Sequence, residues 1–402
     1  MNDTKPFGVE TTLSDVCTNI TYGYTASATS ENTGVKFLRI TDIVPSRIDW
    51  ESVPFCKISP SDLDKYQIRE GDIVIARTGA TTGYNKTIKQ LPYPAVYASY
   101  LIKYDLDRLK ADSAFVGYVL QASNWYEYVD AIAGGSAQPG ANAKQLGSYP
   151  FILPSLPEQK AIASVLSSLD DKIDLLHRQN KTLEAMAETL FRQWFIEEAK
   201  EDWDEVTVSS LFEVRDGTHD SPKQSPIGYP LVTSKHIGDG VLDFDSCYLI
   251  SSDDYDKVNA RSKVETGDIL LSMIGTLGRT YLECDEVNYA IKNIGLFKTS
   301  QNPVWKYFIY LWLNSVQGKQ FVDEHKSGST QEYLSLGSLR GIQLKSPPND
   351  LLLIFNAKVD NWFKKIHANT KQIQTLENLR DTLLPKLMSG EVRVQYQTEQ
   401  VA

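Results

Sequence analysis

The side chains best suited to contact a ligand lie in two glycine-bearing loops. Arg77-Thr78-Gly79-Ala80-Thr81-Thr82-Gly83-Tyr84-Asn85-Lys86 joins two apolar runs and places hydroxyls and an aromatic ring between two cations. Such groups bond phosphate oxygens and base edges, so Arg77, Thr78, Thr81, Thr82, Tyr84 and Lys86 are candidate nucleic-acid contacts. A plain hairpin accounts for the same residues, with glycine where φ is positive and threonine for strand propensity. Both readings stand at this point. The matching loop Ile274-Gly275-Thr276-Leu277-Gly278-Arg279-Thr280 adds Arg279. Gln138 and Gln331, each in a Gly-Ser-x-Gln segment, have the amide that reads adenine. Ser329-Thr330-Gln331-Glu332 also has the S-x-x-E form of a capping box, which would make it a helix start instead. Asp216-Gly217-Thr218-His219, with Pro222 and Lys223, reads as a polar turn; Thr218, His219, Lys223 and Lys235 complete the candidate set.

Catalytic constellations are missing. The sequence has no GxxxxGK[ST] loop, no HExxH, no GxSxG and no Asn-Pro-Pro-aromatic tetrapeptide. The five histidines and four cysteines (Cys17, Cys56, Cys247, Cys284) are scattered, which argues against a metal site and a disulfide framework and favours a reducing, cytoplasmic setting. Asp170-Asp171 and Asp253-Asp254 are expected in a solvated helix and a turn. No window is apolar enough to span a bilayer, so no membrane partner is expected. The formal charge of −10 is unusual for a chain that grips DNA by itself. Residues 1–154 carry 14 basic and 16 acidic side chains, residues 201–347 carry 14 and 21. Either the cations gather on one face or partners share the phosphate contacts.

The elements that must position these loops occur twice. Arg69-Glu-Gly-Asp-Ile-Val74 aligns with Glu265-Thr-Gly-Asp-Ile-Leu270, and Leu183-Glu184 with Leu376-Glu377, at an offset of 193 to 196 residues. Each copy begins with about 150 residues of short β-type runs, such as Val35–Ile43, Asp72–Ala76, Leu231–Thr233 and Asp268–Met273. Helical stretches sit inside, Ser113–Ala133 and Trp305–His325. A long helical pattern follows in each, from Pro157 to Ile196 and from Asn349 to Met388, with Pro385 expected to kink or stop the last turn and Ser389-Gly390 to cap it. Steps of four and three place Leu166, Leu169, Ile173, Leu176, Asn180, Leu183 and Leu190 on one seam. The second helix repeats it with Val359, Trp362, Ile366, Asn369, Ile373, Leu376 and Leu383. Two matching seams in one chain can pair with each other, with Asn180 and Asn369 fixing register. A helix of this length runs about 60 Å and would hold two domains apart. The expected fold is α+β: two β-rich globular domains in tandem repeat, separated by two long helices that form an antiparallel coiled coil. The boundaries are 1–154, 155–200, 201–347 and 348–391, with a tail at 392–402.

This organisation resembles the specificity subunits of Type I restriction–modification systems. The resemblance is carried by Leu153-Pro-Ser-Leu-Pro-Glu-Gln-Lys160 leading into Ile162–Ile173, by Leu183–Phe195 and by Leu376–Glu391, which look like the family's spacers. Asp216-Gly-Thr-His219 with Pro222 is similar to the opening of many target-recognition domains. Pro348-Asn-Asp-Leu351 departs from the proline-Glu-Gln stretch usual there, which puts local helix geometry in question. The resemblance implies a non-catalytic chain whose two domains each read one half of a split double-stranded DNA target. The paired helices would dock two modification (methyltransferase) subunits, which use S-adenosylmethionine to methylate adenine, and a restriction/translocase subunit would join. No cofactor is expected on this chain; S-adenosylmethionine, Mg and ATP belong to the partners. The competing readings are a coiled-coil adaptor with β-rich protein- or glycan-binding domains, and a hydrolase built from scattered acids.

Overall fold

The computed structural model describes residues 7–395 except 46, 135–139, 239, 329 and 330. The chain folds as two compact units, one comprising residues up to Asp174 together with those from Thr375 onward, the other Leu175–Gln374. Each long helix therefore contributes one part to each unit.

Both units repeat one sheet plan. In the first, Cys17–Tyr22, Leu101–Leu106, Ile73–Ala76 and Asn85–Thr87 form a four-stranded antiparallel sheet in that spatial order. Lys36–Leu38 pairs in parallel with Ala95–Tyr97, and Val9–Thr12 pairs with Pro150–Leu153. In the second, Val214–Asp216, Ile294–Phe297, Ile269–Ser272 and Thr280–Leu282 make the same sheet. Leu231–Thr233, the end of the strand Gln224–Thr233, pairs in parallel with Ala290–Lys292, and Glu205–Thr207 pairs with Gln343–Lys345. Ile73–Ala76 and Ile269–Ser272 are buried at every position, as the central strand of a sheet covered on both faces must be.

Beneath each central hairpin lies a buried ion pair. Lys103 Nζ is 3.3 Å from Asp72 Oδ2 in the first copy, and Lys298 Nζ is 2.8 Å from Asp268 Oδ2 in the second. The aspartates also accept the backbone N–H of Arg69 and of Glu265, each at 2.8 Å. The Gly-Asp repeat in the sequence thus marks a turn closed by its own aspartate, with Gly71 and Gly267 at φ 88° and 94°.

The long helices run Leu156–Arg192, continued by a π-type turn over Gln193–Glu197, and Asn349–Ser389. Their pairing is antiparallel. In the first unit Arg380 bonds Asp170 and Arg393 bonds Glu158. In the second, Asn369 bonds Asn180. Leu166, Ile173, Leu176, Asn180, Val359, Asn369 and Ile373 are buried, and Leu169, Leu183, Leu190, Trp362, Ile366, Leu376 and Leu383 are half-buried. In the first unit Ile162, Ala163 and Leu166 share a core with Leu384 and Leu387. In the second, Ala187, Phe191 and Phe195 share one with Phe355 and Val359.

Several local expectations need correction. Val35–Ile43 is not one strand: Lys36–Leu38 is extended, then Asp42 captures the Arg39 N–H at 2.8 Å and the chain turns into a helix over Ile40–Ile43. Ser113–Ala133 and Trp305–His325 each split into two helices, Ser113–Val119 and Ser123–Ala133, Lys306–Asn314 and Val316–His325. Pro385 does not stop the second long helix, which ends four residues later, where Gly390 takes φ 77° and Val392 N–H reaches the Lys386 carbonyl. Ser329 and Thr330 lie outside the described residues, but no helix opens after Glu332; the next, Leu336–Arg340, is capped by Ser335. Asp253 and Asp254 lie in the first turn of a helix, Ser252–Ser262, rather than in a turn.

The unusual start of the second long helix has a simple substitute. In the first, Gln159 is fully buried and ties the helix to its domain, accepting Asp112 N–H and donating to the carbonyls of Lys110 and Pro154. At the matching place Leu352 is fully buried, and Asn356 one turn later donates to the Val304 carbonyl at 2.8 Å. An apolar contact plus one hydrogen bond replaces three hydrogen bonds, and the helix is intact.

Candidate nucleic-acid interface

The candidate loops meet where the parallel strand pair of each domain ends. In the second domain Gly217 packs so closely that a Cβ would fall 2.6 Å from the Ile291 carbonyl oxygen, so only glycine lets the chain cross. Thr218 N–H then bonds the Ile291 carbonyl at 3.0 Å. His219 is exposed, with Nε2 2.9 Å from Asp216 Oδ2 and Nδ1 2.9 Å from Asn293 Oδ1. Asp216 is buried and also holds Arg261. The sequence reading of a plain polar turn missed this: Asp216 ends a strand and organises the two basic side chains around it.

Asn293 has the positive φ of 54°, which asparagine tolerates because its short side chain bonds locally. Its carbonyl accepts the Ser234 hydroxyl at 2.7 Å, and that hydroxyl in turn accepts Met273 N–H and Ile274 N–H. Ser234 thereby ties together the turn at Asn293, the 233–237 segment and the 274–279 loop. Arg279 and Lys235 are exposed on this assembly, and Arg279 also donates to the Ile237 carbonyl at 3.3 Å. Lys292 donates to Ser221 at 2.5 Å, beside exposed Lys223. Lys292, Arg261 and Asn293 were absent from the sequence-based set; nothing short of the repeat register would have placed them here. Gln331 is exposed near Tyr333, which pairs with Ile274.

The first domain uses the same frame with different side chains. Gly23 packs against the Ala98 carbonyl, where a Cβ would come to 2.2 Å, and Tyr24 N–H bonds the Tyr97 carbonyl at 2.7 Å. Arg77 lies with its guanidinium carbon 5.0 Å from the Tyr22 ring centre and donates to the Ser99 carbonyl at 3.1 Å. Thr78 and Thr81 are half-exposed, and Tyr84 is exposed against the edge of Tyr126. Two candidates point inward instead. Thr82 is buried and donates to the Gly79 carbonyl. Lys86 donates to the Pro45 carbonyl at 2.7 Å, and burial, with Lys89 nearby, lowers its ammonium pKa from the ordinary value. Alternation along the strand Asn85–Thr87 turns Lys86 away from the loop tip. Gln138 lies outside the described residues.

Asp170, expected on a solvated face, is half-buried and accepts the Tyr118 hydroxyl at 2.6 Å as well as Arg380. In the second unit the Tyr307 hydroxyl donates to Asp360 of the other long helix at 2.7 Å. Each β-rich domain is thus held to a long helix by a tyrosine–aspartate bond. Among the described residues, no group of three or more His, Cys, Asp or Glu is placed to hold a metal ion, and no helix is long and apolar enough to cross a membrane.

Residues 9–185 and 200–376 each match the model of the Type I restriction modification DNA specificity domain. The chain belongs to this family, with two copies in tandem. The MjaIX specificity subunit of a Type I restriction enzyme from Methanocaldococcus jannaschii is 29% identical, over 70% of each chain. The EcoBI specificity subunit of Escherichia coli is 21% identical, over 96% of this chain and 86% of its own. The crystal structure of the S subunit of a Type I restriction–modification system from M. genitalium has the same fold, with a TM-score of 0.62 at 19% identity, covering 99% of this chain and 98% of that one.

Proposed function

We propose that this chain is the DNA-specificity subunit of a Type I restriction–modification enzyme. It binds a bipartite double-stranded target, one domain to each half, and docks modification and restriction subunits. The chain itself is non-catalytic. S-adenosylmethionine, Mg and ATP act on those partners, two modification subunits that methylate adenine and a translocating restriction subunit. The observation that carries this reading is the repetition of one frame with different side chains at the same place, Asp216-Gly217-Thr218 against Tyr22-Gly23-Tyr24. A repeated scaffold with unlike contact loops suits two unlike half-targets. The interspersed acids, and the net charge of −10, agree with phosphate contacts shared among several subunits.

Methylome sequencing of cells carrying and lacking the chain tests the proposal. Adenine methylation at a two-part sequence in the first cells alone supports it. Identical methylomes in the presence of the partner subunits contradict it.

A further inference from the structure

The two domains present different chemistry at one place in their common frame. Where the second domain passes from Lys292 to Ile294 through the single residue Asn293, the first passes from Tyr97 to Leu101 through Ala98, Ser99 and Tyr100. The flanking strands are in the same register with their neighbours, Leu101 opposite Ala76 and Ile294 opposite Ser272. Two extra residues therefore project Tyr100, which is 58% exposed. Tyr22 sits beside it, since Arg77 bonds the carbonyls of Ser99 and Tyr100 while covering the Tyr22 ring. The Tyr22 hydroxyl accepts Ala143 N–H at 3.0 Å, which fixes its ring with 43% of the residue exposed. Tyr84 shows 39% of its surface from the adjoining loop. The second domain has Asp216 where the first has Tyr22, Asn293 where the first has the segment bearing Tyr100, and Arg279 where the first has Tyr84, with Lys223, Lys235 and Lys292 around them.

We propose that the first domain holds its half of the target through a shelf of tyrosine rings, and the second through cations that neutralise phosphates. The inference rests on the reading of the chain as a DNA-binding subunit. Rings laid against sugars and base edges in a duplex bury apolar surface and release few counterions, whereas each phosphate neutralised adds about 0.9 to the slope of log affinity against log salt. Net charge ranks the domains the other way, 14 basic against 16 acidic side chains in the first and 14 against 21 in the second, but that difference lies in the acids and not in the cations. At this place in the frame Arg77 is taken up by the Tyr22 ring and the Ser99 carbonyl, whereas Lys223, Lys235 and Arg279 are exposed.

The test is binding of the assembled complex with its modification subunits to a duplex carrying the methylated target, across a range of salt. Y84A/Y100A and K223A/K292A change side chains at the surface, and thermal unfolding of each confirms that the fold is kept. The tyrosine variant loses the apolar area of two rings and is expected to lose about tenfold in affinity at every salt concentration, with an unchanged slope. The lysine variant is expected to lose affinity at low salt and to reduce the slope by roughly two, so that it converges on the parent at high salt. Unchanged binding by the tyrosine variant, or an unchanged slope for the lysine variant, overturns the division. A parent complex that binds target and scrambled duplex alike overturns the DNA-recognition reading itself, and this division with it.

Discussion

Lys298 Nζ lies 2.8 Å from Asp268 Oδ2 with both side chains almost wholly buried, and Lys103 and Asp72 repeat the contact in the other domain. Each pair sits where a hairpin turn meets the neighbouring strand. Two desolvated charges are costly unless each finds its partner and further hydrogen bonds, and Lys298 also reaches Glu265 and the Lys263 carbonyl. A pair so placed is expected to fix the turn without adding net stability.

Removing one member is therefore worse than removing both. Lys298→Met is expected to cost the second unit about 3–5 kcal/mol, because Asp268 is left buried and unpaired. Lys298→Met with Asp268→Asn, which removes both charges but keeps an acceptor for the Glu265 N–H of the turn, is expected to recover much of that loss. Chemical denaturation of the full chain, followed by hydrogen exchange in Ile269–Ser272, measures both; a double variant no better than the single one contradicts the argument.

Asn369 Nδ2 donates to Asn180 Oδ1 at 2.8 Å, and Asn180 donates on to Thr370 at 3.3 Å. Asn180→Leu leaves Asn369 without this acceptor and is expected to destabilise the helix pair by about 1–3 kcal/mol. Replacing both by leucine is expected to raise thermal stability while loosening the register. A double-mutant cycle checks this, with additivity of the two single changes as the contrary result.

The duplication, the central hairpins and the seam of the long helices were legible in the sequence because each is set by local pattern: Gly-Asp turns, apolar runs and a period near 3.5. The inward turn of Lys86 and the half-burial of Asp170 were not, since both depend on residues far away in the chain, Pro45 and Tyr118. The candidate face proposed for DNA was legible only in part. Thr218, His219 and Arg279 stood out by type, whereas Lys292, Arg261 and Asn293 carry no motif and are brought in by sheet register. Tyr22 and Tyr100 carry no motif, and only the two-residue difference between the copies sets them apart.

Two carboxylates of the second unit, Asp360 and Asp285, give it an acid limit. Burial works against ionisation of Asp360, but Lys364 and the Tyr307 hydroxyl outweigh it and hold its carboxyl below the usual value. Asp285 is lowered likewise: burial opposes, and Lys371 and His367 prevail. A carboxylate with a lowered folded-state pKa contributes its stability above the unfolded value, near pH 4, and loses it as pH falls through the folded value. Asp360→Asn is expected to lower stability at pH 7 and to flatten the fall below pH 4. Melting temperatures across pH 3–7 check this; an unaltered acid limb in the variant contradicts it.

The central claim is that two independently reading domains sit on one repeated scaffold. Its most direct test is methylome sequencing of cells in which residues 201–347 have been exchanged for the corresponding domain of a related specificity subunit. The account predicts that one half of the methylated sequence changes while the other half stays as it was. Alteration of both halves, or of neither in an active enzyme, would contradict it.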